Sequence, residues 1–184
     1  MDEITVTRFG RRGTLLRAVT VIERPLDETF AFFADARNLE RITPPSLRFR
    51  IVSDVGDGDT HRDMLIDYRL RLRGVPIGWR TRITRYDPPH SFIDEQLRGP
   101  YRLWRHTHRF ESIRDGAATR MVDEVWLRPL GPAPLAWLAD RLFVAREVRG
   151  IFTWRAQRLR ELLPPRSAAE PTDVAPTAAA PTLR

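Results

Sequence analysis

The chain has 184 residues and a formal net charge of +7, enough length for one domain with a real core, since about 150 residues bury roughly 68 to 70% of their unfolded surface. It has no cysteine, which excludes disulfides, thiolate metal sites and a cysteine nucleophile, and no apolar run near 18 residues that would form a membrane-spanning helix. All 31 basic residues are arginine and are dispersed among 24 acids, a distribution that argues against a nucleic-acid partner, because binders of that class gather their cations in a tail, patch or recognition helix.

The N-terminal MDEITVTRFGRRG lacks the apolar stretch of a signal peptide, so a cytoplasmic protein is expected, with residues 1–13 as an arm or weak extra strand. TLLRAVTVIE is a β-branched strand that stops at Pro25-Leu26-Asp27, where Asp27 is the expected N-cap of a short helix burying Phe30, Phe33 and Ala34. Asn38 is the expected cap of a second short helix ending at Pro44-Pro45.

From Leu47 the period changes to two. Leu47, Phe49 and Ile51 alternate with polar neighbours, as do Met64, Ile66, Tyr68, Leu70 and Leu72. A turn centred on Gly74-Val75 would pair Leu72 with Ile77, Leu70 with Trp79, Tyr68 with Thr81 and Ile66 with Ile83 on the inward face, and would set Arg69 against Arg80 and Asp67 against Arg82 outside. Further strands are predicted over Ser91 to Arg98, Tyr101 to Ile113 and Ala118 to Arg128. After Pro129, the spacing of Leu135, Leu138, Leu142, Val148, Phe152, Ala156 and Leu159 predicts one long C-terminal helix to Leu163, with Gly150 as a bend. The Pro-, Ala- and Thr-rich residues 164–184 have little to bury and are expected to form a disordered tail.

The predicted fold is α+β: a curved antiparallel sheet of about six to seven strands around the C-terminal helix, with two short helices after the first main strand and space for an internal cavity. Asp115-Gly116 is a strong two-residue hairpin signal, and it places Phe110 opposite Met121, His108 opposite Asp123, His106 opposite Val125 and Trp104 opposite Leu127, all on the inward face. The outward face then carries Arg105 with Trp126 and Thr107 with Glu124, where Trp126 needs shelter from a cation or a partner.

A wall of Trp104, Phe110, Met121 and Val125 with His106, His108 and Asp123 has the make-up of a ligand pocket, to which Tyr68, Trp79, Leu142 and Phe152 are added as lining. Three readings stay open for the polar cluster. It can anchor the polar end of a ligand, form a self-satisfied buried network, or supply a two-histidine, one-carboxylate metal site; the first is preferred and neither metal nor cofactor is expected. Acid–base catalysis with His106 or His108 as base and Asp123 orienting it is the alternative. Asp94 or Glu95 joins the cluster according to the length of the turn at Gly99-Pro100. His61 and His90 fall in loop-like stretches, and the ladder of Arg69, Arg71, Arg73, Arg80 and Arg82 is a solvated face, or else a surface for an anionic membrane or a protein partner.

The segments VIERPLDETFAFFADARNLERITPP, FIDEQLRGPYRLWRHTHRF and TRMVDEVWLRPLG, followed by a Leu- and Arg-rich helix, resemble the SRPBCC superfamily over roughly residues 14–163. This superfamily includes START lipid-transfer domains, polyketide cyclases and dehydratases, and coenzyme Q-binding proteins. The resemblance implies the helix-grip fold and a hydrophobic ligand such as a lipid, quinone or polyketide in that cavity; binding or carriage without catalysis is the preferred reading. It carries no set of catalytic residues onto this sequence, because function belongs to the site and not to the fold.

Overall fold

A computed structural model describes residues 3–132, 141 and 144–166. Among these, eight strands form one antiparallel sheet: β1 (Glu3–Arg8), β2 (Thr14–Ile22), β3 (Arg50–Ile51), β4 (Leu65–Leu72), β5 (Val75–Asp87), β6 (Ser91–Arg98), β7 (Tyr101–Ile113) and β8 (Ala118–Pro129), in the order β1-β2-β8-β7-β6-β5-β4-β3. The helices are α1 (Leu26–Ala34), α2 (Asn38–Arg41) and α3 (Ala145–Leu162), the last of which grips the inner face of the curved sheet. The N-terminal arm is a true edge strand: β1 pairs with β2 along its whole length.

Alternation decides which side each strand buries. In β2 the residues at Leu16, Ala18, Thr20 and Ile22 are buried while Leu15, Arg17, Val19 and Val21 are half-buried. Two apolar clusters result. Leu16, Ala18, Val125 and Leu127 pack against Val148 and Phe152 of α3, whereas Phe30 and Phe33 of α1 cover Phe110, with ring centroids 5.4 Å apart in both pairs. Helices therefore cover the sheet at both of these places and leave a hollow over the remaining inner face.

The β7–β8 register is the one the Asp115-Gly116 turn predicts, with both turn residues at positive φ. The β4–β5 hairpin differs: its turn is Arg73-Gly74, at φ 50° and 84°, so Leu72 meets Val75, Leu70 meets Ile77, Tyr68 meets Trp79 and Ile66 meets Thr81. The slide is two residues, which preserves every inward side chain. Outside, Asp67 faces Arg80 instead of Arg82 and holds it by two hydrogen bonds of 2.7 and 2.8 Å.

Neither helix cap is as expected. Pro25 occupies the N-cap of α1, leaving Asp27 in the first turn, and Arg37 occupies that of α2. Asn38 is instead a buried connector, donating from Nδ2 to the Phe32 carbonyl at 2.8 Å and accepting from Arg41 at 2.7 Å. Leu47 lies in a 3-10 turn rather than a strand, because Arg48 adopts the left-handed conformation and breaks the extended run. Gly150 lies inside the continuous α3. The Leu135, Leu138 and Leu142 positions and the tail from residue 167 onward lie outside the described residues.

Candidate ligand-binding site

The hollow between sheet and helices is a cavity of about 170 Å³. An apolar cavity of about 150 Å³ takes up benzene, so this is room for a single ring or a short chain. Aromatic rings form much of its wall. Trp79 stacks on Tyr68 (5.8 Å) and meets Trp104 edge-on (5.1 Å, 88°), and Phe152 of α3 faces them across the space. The polar atoms of this part are satisfied internally: the Tyr68 hydroxyl and the Trp79 indole N–H both reach Thr81 Oγ1, at 2.8 and 3.0 Å. Burial first, then the charge of Asp94, pushes the Tyr68 phenol well above its ordinary range.

His106 and His108 border the cavity from β7, one step of the pleat apart, with tilted rings 3.8 Å between centroids and 37° between planes. The neighbouring strands each contribute a carboxylate. Asp94 of β6 pairs with His106 in register and faces inward, while Glu95 turns out to Arg105 at 3.3 Å, which settles the parity that the Gly99-Pro100 turn left open. Asp123 of β8 pairs with His108.

A carboxylate only accepts, so the bonded ring nitrogens carry the hydrogens. His106 donates from Nε2 to Asp123 Oδ1 at 2.9 Å and His108 donates from Nε2 to Asp94 Oδ2 at 3.2 Å. His108 Nδ1 also lies 2.8 Å from Asp123 Oδ1, but out of line for a hydrogen bond, so that approach is a charge contact. His106 Nδ1 stands 3.4 Å from Asp94 Oδ2.

The two imidazoles are pushed in opposite directions. Burial and the neighbouring His108 lower the pKa of His106; burial would lower that of His108 too, but the Asp123 and Asp94 carboxylates outweigh it and favour the imidazolium. Asp123 is buried at 3% exposure, which opposes its charge, yet the two histidines hold its carboxyl far below the usual range.

Several expected lining residues sit elsewhere. Phe110 and Met121 belong to the core under α1, and Val125 packs beneath α3 on Val148 and Phe152, so these three face inward without bordering the cavity. Asp123 likewise lies behind the two histidines. Tyr68, Trp79, Trp104, His106, His108 and Phe152 do border it; Leu142 lies outside the described residues. Trp126 is sheltered on the outer face by Phe9, 5.1 Å between rings, and His61 and His90 are exposed. In the arginine ladder, Arg80, Arg82 and Arg73 face Asp67, Asp63 and Glu147.

One lining residue carried no weight in the sequence. Arg155 of α3 is 8% exposed, borders the cavity and has its guanidinium 4.8 Å from the Phe152 ring; burial depresses its pKa, against the pull of Asp123 and Asp94. Its signal was the 4-3-4 inward spacing of Val148, Phe152, Arg155 and Leu159.

Asp94, His106 and His108 each offer a possible metal-ligating atom, all within 4.8 Å of one another. Asp94 Oδ2 lies 3.4 Å from His106 Nδ1 and 3.2 Å from His108 Nε2, so the two ring nitrogens converge on the carboxylate oxygen.

A family model described as polyketide cyclase/dehydrase and lipid transport matches residues 14–164. No match exists among curated proteins. Among solved structures, protein Ms6760 from Mycobacterium smegmatis is similar over 88% of this chain and 98% of its own, with a TM-score of 0.61 at 18% identity. The ginseng major latex-like protein 151 from Panax ginseng gives 0.59 at 11% identity, over 82% and 97% of the two chains. A START superfamily protein from Mycobacterium smegmatis gives 0.55 at 10% identity, over 80% and 98%. At these identities the likeness concerns the fold, and that fold is the helix grip.

Proposed function

Because this chain belongs to the polyketide cyclase/dehydrase and lipid-transport family, we propose that it binds or carries a hydrophobic small molecule, such as a lipid, quinone or polyketide-like compound, in its internal cavity without chemical change. The observation that carries this reading is the wall itself: rings and aliphatic chains surround a space of about 170 Å³, and the charged groups at β6 and β7 form a single patch. Such a lining orients a ligand by a few polar contacts and binds it by apolar burial. Organic extraction of the purified protein followed by mass spectrometry, and titration with added lipids, quinones and aromatic polyketides, should reveal binding at micromolar concentrations. Ile151 faces the space from α3, and Ile151→Trp should fill it and weaken that binding. Absence of any co-purifying or added ligand, with an unaffected Ile151→Trp titration, ends the proposal.

A second reading, cyclisation or dehydration of a polyketide-like substrate, is favoured by one feature: two adjacent imidazoles border the cavity in environments that separate their proton affinities, the arrangement that divides acid and base roles. It requires turnover. His108→Ala should then abolish conversion of a candidate substrate and leave its affinity nearly intact; equal rates in both proteins exclude this chemistry.

A further inference from the structure

We infer that the ligand of this cavity is an amphipathic carboxylic acid, with its carboxylate on the Arg155 guanidinium and its apolar body against the aromatic wall. The inference rests on the cavity being a hydrophobic-ligand site, as proposed above, and names the chemical class that site selects.

Among the described residues, the carboxylates and imidazoles of the wall are engaged with one another, whereas Arg155 is not. Tyr68 and Trp79 meet at Thr81, and Glu147 at the other end of the α3 lining faces Arg73 at 3.7 Å. Asp94 directs Oδ2 at both histidines, and Asp123 directs Oδ1 at the same two rings. Arg155 has no such arrangement. Its Nε is buried without a hydrogen-bond partner, and among the described residues no carboxylate lies within ion-pair distance of its guanidinium. What it touches is the face of Phe152.

A cation taken out of water needs a counter-charge in contact, and a guanidinium has a particular geometry for one: its planar fork of donors matches the two oxygens of a carboxylate. The size also agrees, since a space of about 170 Å³ suits a single-ring or short-chain acid rather than a diacyl lipid. Asp94 and Asp123 would repel such an anion if bare, but each is covered by imidazole nitrogens at 2.8 to 3.4 Å. A neutral carbonyl ligand would fill the space and leave the guanidinium without a counter-charge in contact, which makes charge the discriminating property.

The test uses matched pairs in which only the charge differs: hexanoate against hexanamide, and benzoate against benzamide, titrated calorimetrically into the full chain at neutral pH. Each acid should bind roughly 10- to 100-fold more tightly than its amide, the range expected for hydrogen bonds to a charged group. Arg155→Met should bring that ratio close to one by weakening the acid far more than the amide, and continued binding of the amide certifies that its cavity is intact. Arg155→Lys, which keeps charge and loses the fork, should retain part of the preference. Equal binding of acid and amide by the parent protein overturns the inference while the hydrophobic-ligand reading stands. Should neither pair bind, the inference falls, and if no apolar compound binds at all the broader reading falls with it. A full preference surviving in Arg155→Met assigns the anion to other groups and equally overturns it.

Discussion

Replacing Asp123 by alanine should destabilise the protein with no ligand present. The carboxylate is 3% exposed, accepts from His106 Nε2 at 2.9 Å and touches His108 Nδ1 at 2.8 Å. Alanine leaves the His106 donor unsatisfied in the interior, at about 1 to 3 kcal/mol. It also removes a charge partner from His108, and stripping one member from a buried pair costs about 3 to 5 kcal/mol when the other stays charged. His108 can escape part of this by releasing its proton, since Asp94 alone then favours its imidazolium, so the combined loss should be about 2 to 4 kcal/mol. In a domain of this size that corresponds to a fall in Tm of roughly 5 to 15 °C. The control is Glu124→Ala one residue along. Glu124 lies on the outer face with Arg109 at 2.7 Å and Arg17 at 3.8 Å, solvent-screened contacts whose loss should cost about 0.2 to 1 kcal/mol. Urea denaturation followed by circular dichroism, with equal m-values, measures both. Equal losses for the two variants, or an Asp123→Ala midpoint matching the parent, would refute the buried-cluster account.

The pH dependence should carry the signature of the two imidazoles. The raised folded pKa of His108 gives a contribution that is complete below the unfolded value of about 6.5 and is lost as pH rises through the folded one. His106 has the opposite sign: its contribution is complete above about 6.5 and fades only on acidification, as does that of Asp123 below about 3.9. Just alkaline of pH 6.5, therefore, parental stability should decline and that of His108→Gln should not; parallel curves in denaturant titrations would contradict the assignment. Gly13 has φ 120°, and a Cβ there would lie 2.6 Å from the Leu127 carbonyl oxygen. Gly116 has φ 90° and open space around it. Gly116→Ala should therefore cost about 1 to 2 kcal/mol of backbone strain, and Gly13→Ala clearly more, as thermal melts of the two would show.

Legibility in the sequence followed the strength of the local turn. Asp115-Gly116 supplies two residues tolerant of positive φ, and it set the β7–β8 register that brings His106, His108 and Asp123 inward together. At the β4–β5 hairpin only Gly74 was visible, because an arginine at φ 50° leaves no composition signal, and the turn centre was placed one residue late. Asp94 was ambiguous for a related reason: parity across Gly99-Pro100 depends on loop geometry rather than on hydrophobic pattern. Alternation says which residues face inward, but not which of them a helix covers. Phe110 and Met121 lie beneath α1 whereas Trp104 and His106 stand over open space, a distinction belonging to tertiary packing alone. Arg155 was overlooked because apolar residues define a stripe and a cation within it reads as surface, although its spacing is inward.

The placement of charges across β6, β7 and β8 bears on how the sheet assembles. A strand that slips by one residue turns its apolar side chains outward and is rejected by the hydrophobic pattern, but a slip by two keeps every residue on its own face. The β4–β5 hairpin shows how little the pattern alone resists such a shift. In the centre of the sheet the outcome is different. Sliding β8 by two would set His108 against Met121 or Val125, and would leave Asp123 opposite His106 in one direction and opposite Phe110 in the other. Sliding β6 would carry Asp94 opposite Trp104 or His108 in the same way. The slips toward Phe110 and toward Trp104 bury a carboxylate with an aromatic ring, not a histidine, directly opposite. The histidine–carboxylate group thus acts as a key across three strands, disfavouring one direction of each slip that apolar alternation would accept.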